Sequence, residues 1–114
     1  MERDQRKARI AALGRIVRAV RQFRGEHQEP MAARGGLARE ELSMVEGGRY
    51  ALRDAHMRTA IARCVDVPAE SIEAVLADAE IDTAALAVVL KVPQVVVDAA
   101  VVVPPAKAAQ EAAS

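Results

Sequence analysis

Residues able to do covalent or metal chemistry are few and scattered along this 114-residue chain. His27 and His56 are its only histidines, and neither has a second His or Cys at metal-ligand spacing. Cys64 is the single cysteine, so no internal disulfide can form. It falls on the apolar side of a helical pattern, where a small buried thiol is expected, and Arg63 alone gives weak support for a reactive thiolate. Ser43 has no nearby histidine base and is not a credible nucleophile. Gly35-Gly36 and Gly47-Gly48 lack the Gly-Lys pattern of a phosphate-cradling loop and read as turn and helix-end glycines. No enzymatic activity, cofactor or metal is expected. What remains is recognition chemistry, concentrated between Gln28 and Gly47.

That stretch, QEPMAARGGLAREELSMVEG, reads as two short helices joined by a glycine turn. Counted from Gln28, a small residue (Ala32) stands fifth, glycine (Gly36) ninth, and apolar residues (Leu42, Val45) fifteenth and eighteenth. Met31 and Leu37 add apolar side chains. A helix-turn-helix has steric need of this pattern: the small residue lets the helices approach, and glycine takes the left-handed turn without a Cβ clash. The implied partner is double-stranded DNA.

These helices need a domain to hold them. Ile10, Leu13, Val17 and Val20 recur at helical spacing, predicting a helix over about 5–24 that ends at Gly25. The motif helices follow over 28–34 and 38–47. Asp54 is placed to cap a fourth helix with Met57, Ala60, Ile61 and Cys64 on one face. Pro68 opens a fifth, with Ile72, Val75, Leu76 and Ala79 inward. Residues 1–79 therefore read as a five-helix DNA-binding domain with a basic N-terminal segment.

Beyond it, residues 59–76 (TAIARCVDVPAESIEAVL) are echoed 25 positions later by 84–101 (AALAVVLKVPQVVVDAAV). The echo predicts a second helix–Val-Pro–helix pair over 80–103, although VVVDAAVVV is also rich in β-branched residues and leaves strand open for 94–103. This segment is more apolar than two short helices can bury against each other. It is expected to pack on a second copy, giving a homodimer, or back on the first domain. Residues 104–114 read as a mobile tail.

Net charge is zero but unevenly placed: residues 1–63 hold 14 Lys/Arg against 8 Asp/Glu, and residues 64–114 hold 2 against 8. The basic half is the half with the motif, as expected if it meets phosphate. With one Phe, one Tyr and no Trp, the chain lacks the aromatic platform of single-strand binders. Its charged N-terminus does not read as a secretory signal. The apolar run over 84–103 is broken by Lys91, Pro93, Gln94 and Asp98, a poor membrane span, so a cytoplasmic location is expected.

Residues 13–76 resemble the DNA-binding domain of the XRE family, the lambda-repressor/Cro-like helix-turn-helix regulators. The resemblance rests on Arg21 and Gly25 closing the first helix, Gln28-Glu29 opening the second, and Ser43, Val45, Glu46 and Gly48 closing the third. It implies an all-α, five-helix lambda-repressor-like fold, here with a small C-terminal helical appendage. It further implies a structural ion pair between Arg21 and Glu46 and a sequence-specific regulator, more readily a repressor than an activator, binding as a homodimer. Arg39, Glu40, Ser43 and Met44 would face base edges, where a glutamate can accept from cytosine N4. Gln28, Arg49 and the N-terminal Arg3, Arg6 and Lys7 would hold phosphates or reach a groove, and Ala38 is counted with them among the DNA-binding residues.

The chain departs from the family pattern in several places. Glu26 stands where an apolar residue is usual, and His27 and Ala38 where Ser or Thr would cap the motif helices. Glu40, Glu41 and Met44 are the side chains the recognition helix is expected to expose, and carboxylates there repel phosphate. These departures support an alternative class, a degenerate helix-turn-helix serving protein interaction as an antitoxin, anti-repressor or regulator partner.

Overall fold

A helical repeat of apolar residues can bury only one face, and the first helix shows which. In the computed structural model, which describes residues 2–77 and 80–102, helix α1 runs from Glu2–Phe23 with Ile10, Leu13, Ile16, Val17 and Val20 buried. It starts earlier than the periodicity predicts, so the basic N-terminal residues form its opening turns instead of a separate arm. Six further helices follow among the described residues: α2 (Gln28–Arg34), α3 (Arg39–Glu46), α4 (Ala55–Val65), α5 (Ala69–Ala77), α6 (Thr83–Leu90) and α7 (Gln94–Val101). The described residues contain no strand. Ala79, expected inward on the fifth helix, and the expected tail over 104–114 lie outside them.

Gly14 sits in the middle of α1, where glycine costs about 0.5–1 kcal/mol relative to alanine. Its use is contact. A Cβ there would fall onto the carbonyl oxygens of Val45 and Glu46 at the end of α3. The α1–α3 crossing is thus set by backbone against backbone, with no flexible side chain able to yield. Gly14→Ala should gain helix propensity yet lose about 1–3 kcal/mol net through overpacking. A lowered urea midpoint at unchanged m-value checks this, and a midpoint raised above that of the parent would refute the crossing.

The turn between α2 and α3 depends on its two glycines for different reasons. Gly36 has φ +74°, the left-handed conformation for which glycine is favoured, and Gly35 lies so close to α4 that a Cβ would strike the Ala60 carbonyl and Cys64. Met31, Ala32, Leu42 and Val45 are buried from this pair of helices. Asp54 caps α4 by accepting from the His56 N–H at 2.9 Å.

The sequence echo has a structural counterpart. Asp66 and Lys91, 25 residues apart, both take the left-handed conformation that ends α4 and α6, with φ of 61° and 58°. The next residues, Val67 and Val92, donate back to the Ala62 and Ala87 carbonyls at 2.9 and 3.1 Å. Pro68 and Pro93 then start α5 and α7, accepting from Ser71 and Val96 at 3.0 Å each. In α7 the buried residues are Val97 and Ala100, a helical spacing, so 94–101 is helix despite its valines. It packs along α1 more extensively than any other helix pair does. Leu86, Ala87, Leu90, Val92, Val97 and Ala100 join the same core as Leu13 and Leu42. Within one chain, α6 and α7 pack back on the first domain, along α1.

Much of the arginine excess serves this packing. Arg9 donates to the Val75 carbonyl at 3.3 Å and Arg15 to those of Ala100 and Val101 at 2.7 and 3.2 Å. Arg24 donates to Leu90 at 2.8 Å, and Arg34 to Cys64 at 2.7 Å. Each acceptor lies in the last turn of a helix, where carbonyls have no intrahelical donor and cations are favoured by the helix dipole. Val75 and Ala100 are again 25 positions apart. Part of the basic first half is therefore engaged inside the fold, with α1, α2 and their connection capping α4 to α7.

Candidate nucleic-acid interface

The Arg21 and Glu46 side chains join the end of α1 to the end of α3. Arg21 Nε and Nη2 donate to the two Glu46 carboxylate oxygens at 2.8 and 3.0 Å, a bidentate pair whose side chains keep 15% and 5% exposure. Arg21 Nη1 also donates to the Glu26 carbonyl at 3.1 Å. Hydrogen bonding to Glu46 holds the Arg21 pKa above its ordinary value, outweighing the opposing effect of burial. The Gln28 amide donates to Glu46 Oε1 at 3.1 Å. Gln28, expected beside phosphate, is thus half-buried and engaged with a carboxylate.

An open groove of about 640 Å3 lies over this pair, between the last turns of α1, the start of α2 and the outer face of α3. Arg18, Arg39 and Arg49 border it with His27, Gln28 and Ser43. All three arginines are exposed, and none has an ion-pair partner among the described residues. On α3, Arg39, Glu40 and Met44 are exposed and Ser43 is half-buried. Glu41 behaves otherwise than expected: it is half-buried and accepts from the Ala38 N–H at 2.9 Å. That is half of a capping box, since Ala38 has no side-chain oxygen to return the bond. It turns the Glu41 carboxylate back onto its own helix and occupies the Ala38 N–H. Glu26, the charged residue at an apolar position, is compensated by Arg34 at 2.8 Å.

A second concavity, of about 430 Å3, opens on the other side of Arg49, lined by Arg6, Lys7, Tyr50 and Arg53 among others. Arg49 therefore belongs to both, and the basic surface continues from Arg18 to Lys7 around the end of α3. Lys7 is exposed there, and the Arg3 side chain lies outside the described residues. Arg6 is not a free cation. Its Nη2 donates to the Ala51 and Leu52 carbonyls at 3.3 and 3.1 Å. Leu52 is fully buried and has φ +56°, a left-handed conformation that costs a residue with a Cβ about 1–2 kcal/mol.

Sequence reasoning left Arg18 and Arg53 out of the candidate site. Arg18 was legible: it precedes Arg21 by three residues, one helical step, so it shares the face that meets α3. Arg53 lies in an irregular connection with no periodicity to place it.

Cys64 is buried with no exposure, its Sγ 3.9 Å from the Ala32 carbonyl oxygen. Burial pushes its thiol pKa up, against smaller lowering effects from the Gly35 backbone and the Arg34 charge. The folded chain should therefore react with a thiol reagent at least about a thousandfold more slowly than the unfolded chain, because reaction waits on opening. Since the raised group holds its proton longer when folded, its contribution to stability is complete below the ordinary thiol value of about 8.5 and is lost as pH rises above it. Labelling as fast in the folded as in the denatured protein would contradict this burial.

Among the described residues no group of three or more His, Cys, Asp or Glu could hold a metal ion, and no helix is long and apolar enough to cross a membrane. No family model matches the chain, and neither a curated protein nor a solved structure matches it.

Proposed function

We propose that the protein is a sequence-specific, double-stranded-DNA-binding transcriptional regulator of the lambda-repressor/Cro-like helix-turn-helix kind, acting as a repressor and as a homodimer. In this reading α1 to α5 form the five-helix domain and α3 enters the major groove, with Arg39, Glu40, Ser43 and Met44 toward base edges. The observation that carries it is the outer face of α3 bordered by three arginines with no ion-pair partner among the described residues, although Arg15, Arg21, Arg24 and Arg34 nearby are engaged in internal capping or pairing. Arg18 and Arg49 would hold phosphate on either side of α3, with Lys7 adding to the second concavity. Gln28 contributes by orienting Glu46, and Ala38 by its position at the start of α3. Half-sites would lie about one helical turn apart. Val88, Val95 and Val102, which remain 65–77% exposed, offer the second copy an apolar surface on the α6–α7 side.

Selection of bound fragments from random duplex DNA tests both parts. Recovery of an inverted repeat is the expected result, and its half-site spacing gives the dimer geometry. Recovery of no sequence, with no binding at low salt, would favour the alternative of a degenerate helix-turn-helix used for protein interaction. The exposed Glu40 in the first turn of α3 is the observation that supports that second reading.

A further inference from the structure

The connection from α3 to α4 carries two of the exposed arginines, Arg49 and Arg53, yet its own backbone is weakly held. Residues 50–53 make no backbone-to-backbone hydrogen bond among the described residues. Two side chains take that role. Arg6 Nη2, from the second turn of α1, reaches the Ala51 and Leu52 carbonyls, and Arg58 Nη1, from α4, reaches the Leu52 carbonyl at 3.0 Å. Both meet at the residue in the left-handed conformation, whose side chain is buried in the core. A strained residue persists where its surroundings over-determine it, and here they do so from three sides.

We infer that Arg6 is a positioning residue: its guanidinium clamps the Ala51–Leu52 backbone and so fixes the connection that presents Arg49 and Arg53 to the ligand of the basic surface. It does not itself take a phosphate. The inference rests on the proposed DNA-binding reading for its ligand, a duplex phosphate backbone, and on the hydrogen bonds alone for the clamp. It separates Arg6 from its sequence neighbour Lys7, which is exposed on the same concavity.

Tyr50, the only tyrosine in a chain without tryptophan, is half-buried in this connection and lines the same concavity as Arg6, so its fluorescence reports on the order of the connection. The experiment compares the parent with Arg6→Ala, Arg6→Lys and Lys7→Ala. Acrylamide quenching of Tyr50 and binding to a mixed-sequence DNA duplex are measured between about 50 and 200 mM salt. Arg6→Ala should make Tyr50 more quenchable and weaken binding about tenfold at every salt concentration, the scale of leaving one or two interface side chains unordered. The logarithmic salt slope should not change. Lys7→Ala should leave Tyr50 unchanged and shallow the slope by about 0.9, one phosphate contact.

Arg6→Lys keeps the charge but not the fork that spans two carbonyls. It should resemble Arg6→Ala in quenching and affinity, and it remains informative if the alanine variant does not fold. A slope shallowed by Arg6→Ala, with Tyr50 unaffected and Arg6→Lys behaving as the parent, would overturn the inference in favour of a direct phosphate contact. If the parent binds no duplex at all, the DNA-binding reading fails by itself. The clamp then stands or falls on Tyr50, and unchanged quenching in both Arg6 variants overturns it.

Discussion

Truncation after Asp82 should leave a chain that no longer unfolds cooperatively. The cut removes α6 and α7, and with them Leu86, Leu90, Val92 and Val97 from a core continuous with α1. Each such side chain contributes roughly 1.5–3 kcal/mol on burial, against a total stability of about 5–15 kcal/mol for a domain of this kind. The shorter chain has fewer residues to order, which offsets part of that loss. It is nonetheless left with the α7-facing side of α1 exposed, and the Arg15 and Arg24 guanidinium groups lose the carbonyls they cap. Helical circular dichroism with a broad melt and binding of a hydrophobic dye is the expected outcome. A sharp melt at the full-length midpoint would show that residues 2–77 hold their fold without the C-terminal pair. Assembly is read separately from folding: sedimentation of the full-length protein reports whether it forms a dimer.

Glu46→Ala should lower stability by about 3 kcal/mol, the lower end of the range for breaking a buried pair, because Arg21 keeps 15% side-chain exposure. The guanidinium stays charged. Its pKa is held up chiefly by the hydrogen bond to Glu46, and a raised group gives its full contribution below its unfolded value, which for arginine spans the whole neutral range. The cost is therefore a desolvated cation without its bidentate acceptor, plus a Gln28 amide that loses its oxygen. In a domain of this size the midpoint should fall by more than about 10 °C. Glu46→Gln retains one acceptor oxygen and should fall less. Measured at a temperature where the variant is folded, duplex affinity should change less than stability does. An unchanged melt with binding abolished would move this pair from scaffold to ligand contact.

Local rules in the sequence determined most of the helices. Apolar periodicity placed α1, α4 and α5, and the small residue, glycine and two apolar positions after Gln28 placed α2 and α3 with their turn, because those features act within one or two helical turns. The Val-Pro echo marked two helix pairs, since Asp66 and Lys91 end their helices by the same local bonds. The Arg21–Glu46 pair came from resemblance, because nothing local joins residues 25 positions apart. Three matters were decided only in the tertiary structure. VVVDAAV is helix because α1 offers it a helical face and Arg15 its last-turn donors, outweighing the β-branched preference of its valines. Gly14 is required by a carbonyl that arrives from α3, which no pattern within α1 reveals. The division of the arginines is the third: Arg15, Arg24 and Arg34 close helix ends, Arg6 holds a strained connection, and Arg18, Arg39 and Arg49 face outward. Charge counted along the chain gives the number of cations, but what each one meets depends on which carbonyls and carboxylates the packing of these helices brings within about 3 Å.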